Sequence, residues 1–172
     1  MKDNFTYALN ALLSDNREGG FSNHSSDPGG ITNCGVTKLV WEEWVGHSVD
    51  EKAMRALTPA IVAPLYKQKY WDKVAGDSLP SGIDHAVFDF AVNSGVGRAA
   101  KFLQSAVGAA QDGAIGPMTL AKVAEKDQQK LVAAYNAARL AFLYELPIWE
   151  TFRGGWARRV VEVTAEAAAM TK

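Results

Sequence analysis

Residues 83–93, IDHAVFDFAVN, decide the fold: Ala86, Val87, Phe88, Phe90, Ala91 and Val92 place apolar side chains around nearly the whole circumference of a helix. A surface helix keeps one polar face for water, so a helix that is apolar almost all round runs through the middle of its fold. Ser81 marks its start, and Asn93-Ser94-Gly95 its end, since Asn and Gly tolerate the left-handed conformation that closes helices. Helical patterns flank it on both sides. Upstream, Phe5, Ala8, Leu9, Leu12 and Leu13 form a stripe within residues 3–17, and Thr37 caps a short helix through LVWEEWVG that carries Trp41 and Trp44. Ser48 and Glu51 have capping-box spacing, and Thr58-Pro59 opens a helix toward Trp71 whose beginning Pro64 bends or delays. Downstream come a helix over 98–107, a turn over 108–116, and an alanine-rich helix over 128–146 stopped by Pro147. Its inward face is Leu131, Tyr135, Ala138, Phe142 and Leu146, and a last helix runs over 156–170. No alternating pattern is long enough for a strand except a short one near 32–37. The reading is mainly α, a single compact helical domain with at most a very short β element.

A chain of 172 residues can bury one sizeable core, and 48% hydrophobic with 22% charged residues is ordinary for a soluble domain. A net charge of −1 without a dense basic run excludes nucleic acid as a partner. No apolar run is long enough to span a bilayer, so no membrane partner is expected. The start, MKDNFTYALNALLSDN, is acidic where a secretory leader needs positive charge, so synthesis in the cytoplasm without a signal peptide is expected. The single cysteine, Cys34, excludes an intrachain disulfide and a thiolate-rich zinc site. His24, His47 and His85 lack the spacing of a helical zinc pair. The expectation is no metal, no cofactor and a monomer.

Chemistry concentrates in residues 18–37, EGGFSNHSSDPGGITNCGVT, where a helical pattern breaks into a loop that packing does not require. Gly19, Gly20, Gly29, Gly30 and Pro28 let the backbone turn tightly and approach a ligand closely. Glu18 stands at the helix end and Asp27 in the loop. Glycosidic hydrolysis usually needs one carboxyl kept protonated for the leaving oxygen and a second one ionised. Glu18, shielded by neighbours such as Phe21, suits the acid, and Asp27 in a polar turn suits the ionised partner. The plainer alternative is a solvated helix-end Glu18 and an Asp27 that only builds the turn. A thiol chemistry is also open, with Cys34 paired to His85 or His24 as in a cell-wall amidase or peptidase, against a small buried thiol supporting the loop.

The run EGGF-x-N-x-x-x-DPGG-x-T-N-x-GVT resembles the signature of glycoside hydrolase family 108, bacterial and phage N-acetylmuramidases that open on Glu-Gly-Gly-Tyr. Phe21 stands where the family more often has Tyr. YKQKYW at 66–71, FDFAVNSGVGRAAKFLQ at 88–104, QDGAIGPMTL at 111–120 and FRGGWARR at 152–159 extend the resemblance over nearly the whole chain. It implies a lysozyme-like single muramidase domain over 1–172. Residues 1–107 would be the catalytic portion carrying the Glu18 loop, and 108–172 a helical portion resembling a peptidoglycan-binding segment, integrated in the same fold. It further implies an endolysin-like hydrolase of the β-1,4 bond between N-acetylmuramic acid and N-acetylglucosamine, with Glu18 as general acid. Asp27 would serve as the second carboxylate and Thr32 would hold water. Asn23, Tyr70, Trp71 and Asn93 become candidate contacts to the glycan strand, with Tyr66 also near a saccharide groove; simple packing is the alternative for at least two of the three aromatics at 66, 70 and 71. Delivery to the wall would fall to a holin or a secretion system. A non-catalytic wall-binding module, resting on DGAIGP and on Arg153, Arg158 and Arg159, is the rival reading, and intramolecular ion pairs are the ordinary alternative for those arginines.

Overall fold

The computed structural model describes residues 4–14, 17–23 and 30–171. The chain divides into two units, Thr6–Gln68 and Met1–Phe5 with Lys69–Lys172.

In the first unit, α1 (Asn4–Leu12) buries Ala8, Leu9 and Leu12 as its stripe requires. It stops short of Arg17, because Ser14 donates its hydroxyl to the Ala11 carbonyl at 2.8 Å and diverts an acceptor that helix continuation would use. Three two-residue strands follow, β1 (Phe21–Ser22), β2 (Thr32–Asn33) and β3 (Val36–Thr37), antiparallel in that order. The register pairs Ser22 with Thr32 and Asn33 with Val36. The short strand expected over 32–37 is therefore a hairpin. Cys34 and Gly35 form its two-residue turn at φ 49° and 67°, the positive pair that matches strand twist.

Thr37 caps α2 (Lys38–Val45), accepting from the Val40 amide, and Trp41 is buried in its inner face. The capping box expected at Ser48 is not used: Asp50 caps α3 (Glu51–Arg55), its carboxylate taking the Ala53 amide at 2.7 Å. Thr58 caps α4 (Pro59–Tyr66), which starts at its proline undelayed by Pro64 and passes into a π-helical turn, Lys67–Trp71.

The second unit is built on α5 (Ile83–Ser94), the helix the sequence marked as central, in which every residue from Ile83 to Ala91 is buried. It begins after Gly82 and not at Ser81, whose hydroxyl instead accepts from Asn4. A Cβ on Gly82 would meet the Ala167 carbonyl at 2.4 Å, so glycine is what lets the helix start so close to its neighbour. Around it pack α6 (Val96–Val107), α8 (Gln128–Tyr144) and α9 (Trp149–Met170), with α7 (Pro117–Ala124) against α6. Val87, Phe90, Leu103, Val132, Tyr135 and Val163 stand in the shared core.

Helix α8 ends at Tyr144, and its buried face includes Arg139 and Asn136, with Ala138 exposed. Helix α9 begins at Trp149, seven residues earlier than expected, and takes in all of FRGGWARR. Among the described residues no helix is long and apolar enough to cross a membrane. The fold is mainly α, with one very small sheet.

Candidate active site

Past Leu12 the chain folds back on the helix end. The Glu18 amide donates to the Leu12 carbonyl at 3.0 Å, and the Gly19 amide to that of Ser14 at 3.0 Å. Gly19 is required there, since a Cβ would lie 2.3 Å from the Leu13 carbonyl oxygen. Glu18 is half-buried as a result.

The hairpin turn closes over it. A Cβ on Gly35 would meet the Cβ of Glu18 at 3.0 Å and the Tyr66 hydroxyl oxygen at 2.6 Å. Only glycine admits this approach, and it already occupies a positive φ. The turn is fastened from behind: Tyr66 Oη donates to the Cys34 carbonyl at 2.9 Å. Asn33 Nδ2 donates to the carbonyls of Met54 at 2.8 Å and Leu57 at 3.3 Å, while its Oδ1 accepts from the Cys34 amide at 2.9 Å. Asn33 is 7% exposed, so these bonds exchange little with water and fix the hairpin on the end of α3. Glu18 thus has a rigid surround built from α1, the hairpin and α4.

Cys34 is not placed as a nucleophile. Its thiol is buried, burial pushes it up from the ordinary thiol range, and Sγ lies 3.7 Å from the Leu57 carbonyl it can donate to. A thiolate-dependent reaction needs the opposite shift. His85 is occupied elsewhere, with Nε2 at 2.9 Å from Glu166 Oε2, and His24 lies outside the described residues.

The remaining candidates fall as follows. Asp27 lies outside the described residues. Thr32 sits in β2, its hydroxyl 3.5 Å from the Gly30 carbonyl. Asn23 follows β1, is exposed, and donates to Glu51 at 3.1 Å. Phe21, in the position where a tyrosine is commoner, lies under the Arg55 guanidinium at 3.8 Å, so its ring has a cationic lid in place of a hydroxyl contact. In the second unit, Asn93 ends α5 half-buried and accepts from Ser94 and, at 3.4 Å, from Arg139. Tyr70 is half-buried against the core. Trp71 does not fit the sugar platform expected of it. It is 1% exposed, met edge-on by Phe5 and Phe88 at 5.4 and 5.5 Å, and its indole donates to Asp77 at 2.7 Å, so its faces have no room for a sugar ring. Tyr66, spent on Cys34, is likewise a packing residue.

Sequence reasoning passed over Asn33, Gly35 and Tyr66 as the elements that seat Glu18. The one available signal was the glycine of a two-residue hairpin turn following Asn33-Cys34.

Residues 13–95 match the family described as Glycosyl hydrolase 108. A solved structure, that of Brucella abortus SagA, is 42% identical over 100% of this chain and 98% of its own, with a TM-score of 0.86. The chain belongs to the glycosyl hydrolase 108 family. A second match, over residues 98–161, is to a family described as Predicted Peptidoglycan domain. None of the curated proteins is significantly similar to the chain. With both matches in one chain, this family member is a glycoside hydrolase acting on peptidoglycan.

Proposed function

We propose that this glycosyl hydrolase 108 protein is an endo-acting N-acetylmuramidase that hydrolyses the β-1,4 bond between N-acetylmuramic acid and N-acetylglucosamine, with Glu18 as general acid. The seating of Glu18 carries the reading. A proton donor works only when held within hydrogen-bond reach of the leaving oxygen, and the close approaches at Gly19 and Gly35 support this role by holding the backbone and Cβ of Glu18 between a folded-back helix end and a pinned hairpin turn. Asp27 takes the role of the second carboxylate, activating the water, and Thr32 that of holding it. Asn23 contacts sugar. In the second unit Asn93 and Tyr70 are the proposed contacts. The protein acts as a monomer on the glycan strand.

The test is Glu18→Gln, nearly isosteric, assayed on purified sacculi with mass spectrometry of the products. Wild type should release fragments with a reducing muramic end, and the variant should keep its circular dichroism spectrum while losing activity by about 10²–10⁴-fold, the usual contribution of a positioned acid. A tenth of wild-type turbidity clearing by the variant would remove Glu18 from its role. A reducing N-acetylglucosamine end, or a non-reducing anhydro end, would reassign the bond or the reaction.

A further inference from the structure

The second unit contains a cavity of about 840 Å³, bounded by α6, α8 and the turn over 108–116. That size lies within the roughly 300–1,000 Å³ range of ligand sites. The turn is itself a built wall. Gln104, fully buried in α6, donates to Asp112 Oδ1 at 2.6 Å and to the Ala114 carbonyl at 3.0 Å, and accepts from the Gly113 amide at 3.0 Å. Its Nε2 also lies 3.3 Å from Thr119 Oγ1 on α7, so one buried amide holds the turn to both α6 and α7 and makes it rigid. Gly113, at φ 83°, lets it lie against α6 at Lys101 and Gly97. On the other side the small side chains of Ala134 and Ala138 on α8 leave the space open.

Two cations face the cavity, Arg98 and Lys101, one turn apart on α6. Arg98 lies over the Phe142 ring at 4.6 Å and donates to the Ser94 carbonyl, so its guanidinium is positioned in advance. Among the described residues no carboxylate forms an ion pair with either cation. The lining's own anion, Asp112, is spent on the Ala114 amide and Gln104, and the first of these bonds does most to hold its carboxyl below the usual range. Phe102 supplies the apolar floor.

We infer that this cavity binds the carboxylate-bearing peptide stem of peptidoglycan, with Arg98 and Lys101 taking its carboxylates and Phe102 packing on its aliphatic parts. The inference rests on peptidoglycan being the substrate and adds a site for the peptide, separate from cleavage of the glycan. Ten of the eleven lining residues fall in the segment 98–161 that matches the peptidoglycan family. Where a stem is attached, the lactyl carboxyl of N-acetylmuramic acid is tied up in an amide, so the free carboxylates of the polymer lie on the stem. A stem of alternating L and D residues carries free carboxylates and short aliphatic side chains, which match the cations and the floor.

The probe is a soluble tetrapeptide of L-Ala, γ-linked D-Glu, a diamino acid and D-Ala, titrated calorimetrically into the full chain. Wild type should bind it, Lys101→Glu and Arg98→Gln should each weaken binding at least tenfold with unchanged melting temperature, and amide shifts at Gly97 and Gly113 should follow the titration. Amidating the peptide carboxylates should abolish the heat. No binding by wild type, equal binding by Lys101→Glu, or the same response to inorganic phosphate would overturn the proposal. Glu18→Gln serves as the control that separates the two readings. The variant should bind the tetrapeptide as wild type does while cleaving nothing; tetrapeptide binding by a wild type that itself cleaves no glycan would keep this site and sink the muramidase, and cleavage by wild type without tetrapeptide binding would do the reverse.

Discussion

Asp89 Oδ1 lies 2.7 Å from Nη2 of Arg139, and the two side chains are 1% and 0% exposed. Arg159 approaches the same carboxylate from α9, with Nε 3.1 and 3.2 Å from its two oxygens. Burial pushes the Asp89 carboxyl up, but the two guanidiniums outweigh it and hold the group well below the usual carboxylate range. The cluster ties α5, α8 and α9 together at one buried point.

Removing the anion leaves two buried cations facing each other. Asp89→Ala should therefore cost about 3–5 kcal/mol in urea denaturation, the range for breaking a buried pair by deleting one partner. The sign of the pH effect follows from the depressed folded-state value. Asp89's contribution is fully present above the unfolded carboxylate value of about 3.9 and is lost as pH falls from there toward the folded value. The wild-type urea midpoint should drop below about pH 4 more steeply than that of the variant. Parallel curves would mean that the cluster is not ionised as described.

Gly35→Ala and Gly46→Ala make a matched pair. Both sites have positive φ, at 67° and 77°, so each substitution carries backbone strain of about 1–2 kcal/mol. Only at Gly35 does the added Cβ meet Glu18 and Tyr66; at Gly46 nothing lies within 4 Å. Comparable losses of melting temperature are expected at the lower bound, with an additional loss of turnover on sacculi for Gly35→Ala alone. If the two variants kept equal activity, the hairpin turn would have no part in seating Glu18.

Cys34 gives a third expectation. A buried thiol pushed up by desolvation reacts slowly. Iodoacetamide at pH 8 should leave the native protein unmodified over a time in which the urea-unfolded chain reacts fully, and sacculus cleavage should survive the treatment. Rapid native alkylation with loss of activity would revive the thiol reading.

What the sequence made legible was local. The circumference of residues 83–93 placed the central helix, and Thr37 and Thr58 announced their caps because the residue and the amide it binds are three positions apart. At the next cap two residues competed, and the Asp50 carboxylate was the one that reached an amide, while Ser48's carbonyl sits beside the His47 ring. Glu18 was legible as a carboxyl before two glycines. Its surround was not, because Gly35 and Tyr66 are brought to it by a hairpin and by a helix much further along the chain. Asp89 was hidden for the same reason: its partners stand at 139 and 159, and an acid in an apolar run shows its pairing only after α8 and α9 have packed. For Trp71 both packing and a sugar contact were open, because a sequence gives an aromatic's identity but not whether its faces are covered, and here they are.

FRGGWARR yields the last prediction. Gly154 and Gly155 lie inside α9, and both are exposed. A Cβ at either would have nothing within 4 Å, and neither has the positive φ that would require glycine. Glycine in a helix interior is about 0.8–1.0 kcal/mol worse than alanine, so packing within the chain gives no reason for the pair. Gly154→Ala and Gly155→Ala should each raise stability by roughly 0.5–1 kcal/mol in urea denaturation, and the double variant by close to the sum. Destabilisation by either would mean that the helix does not run unbroken from Trp149 through these residues.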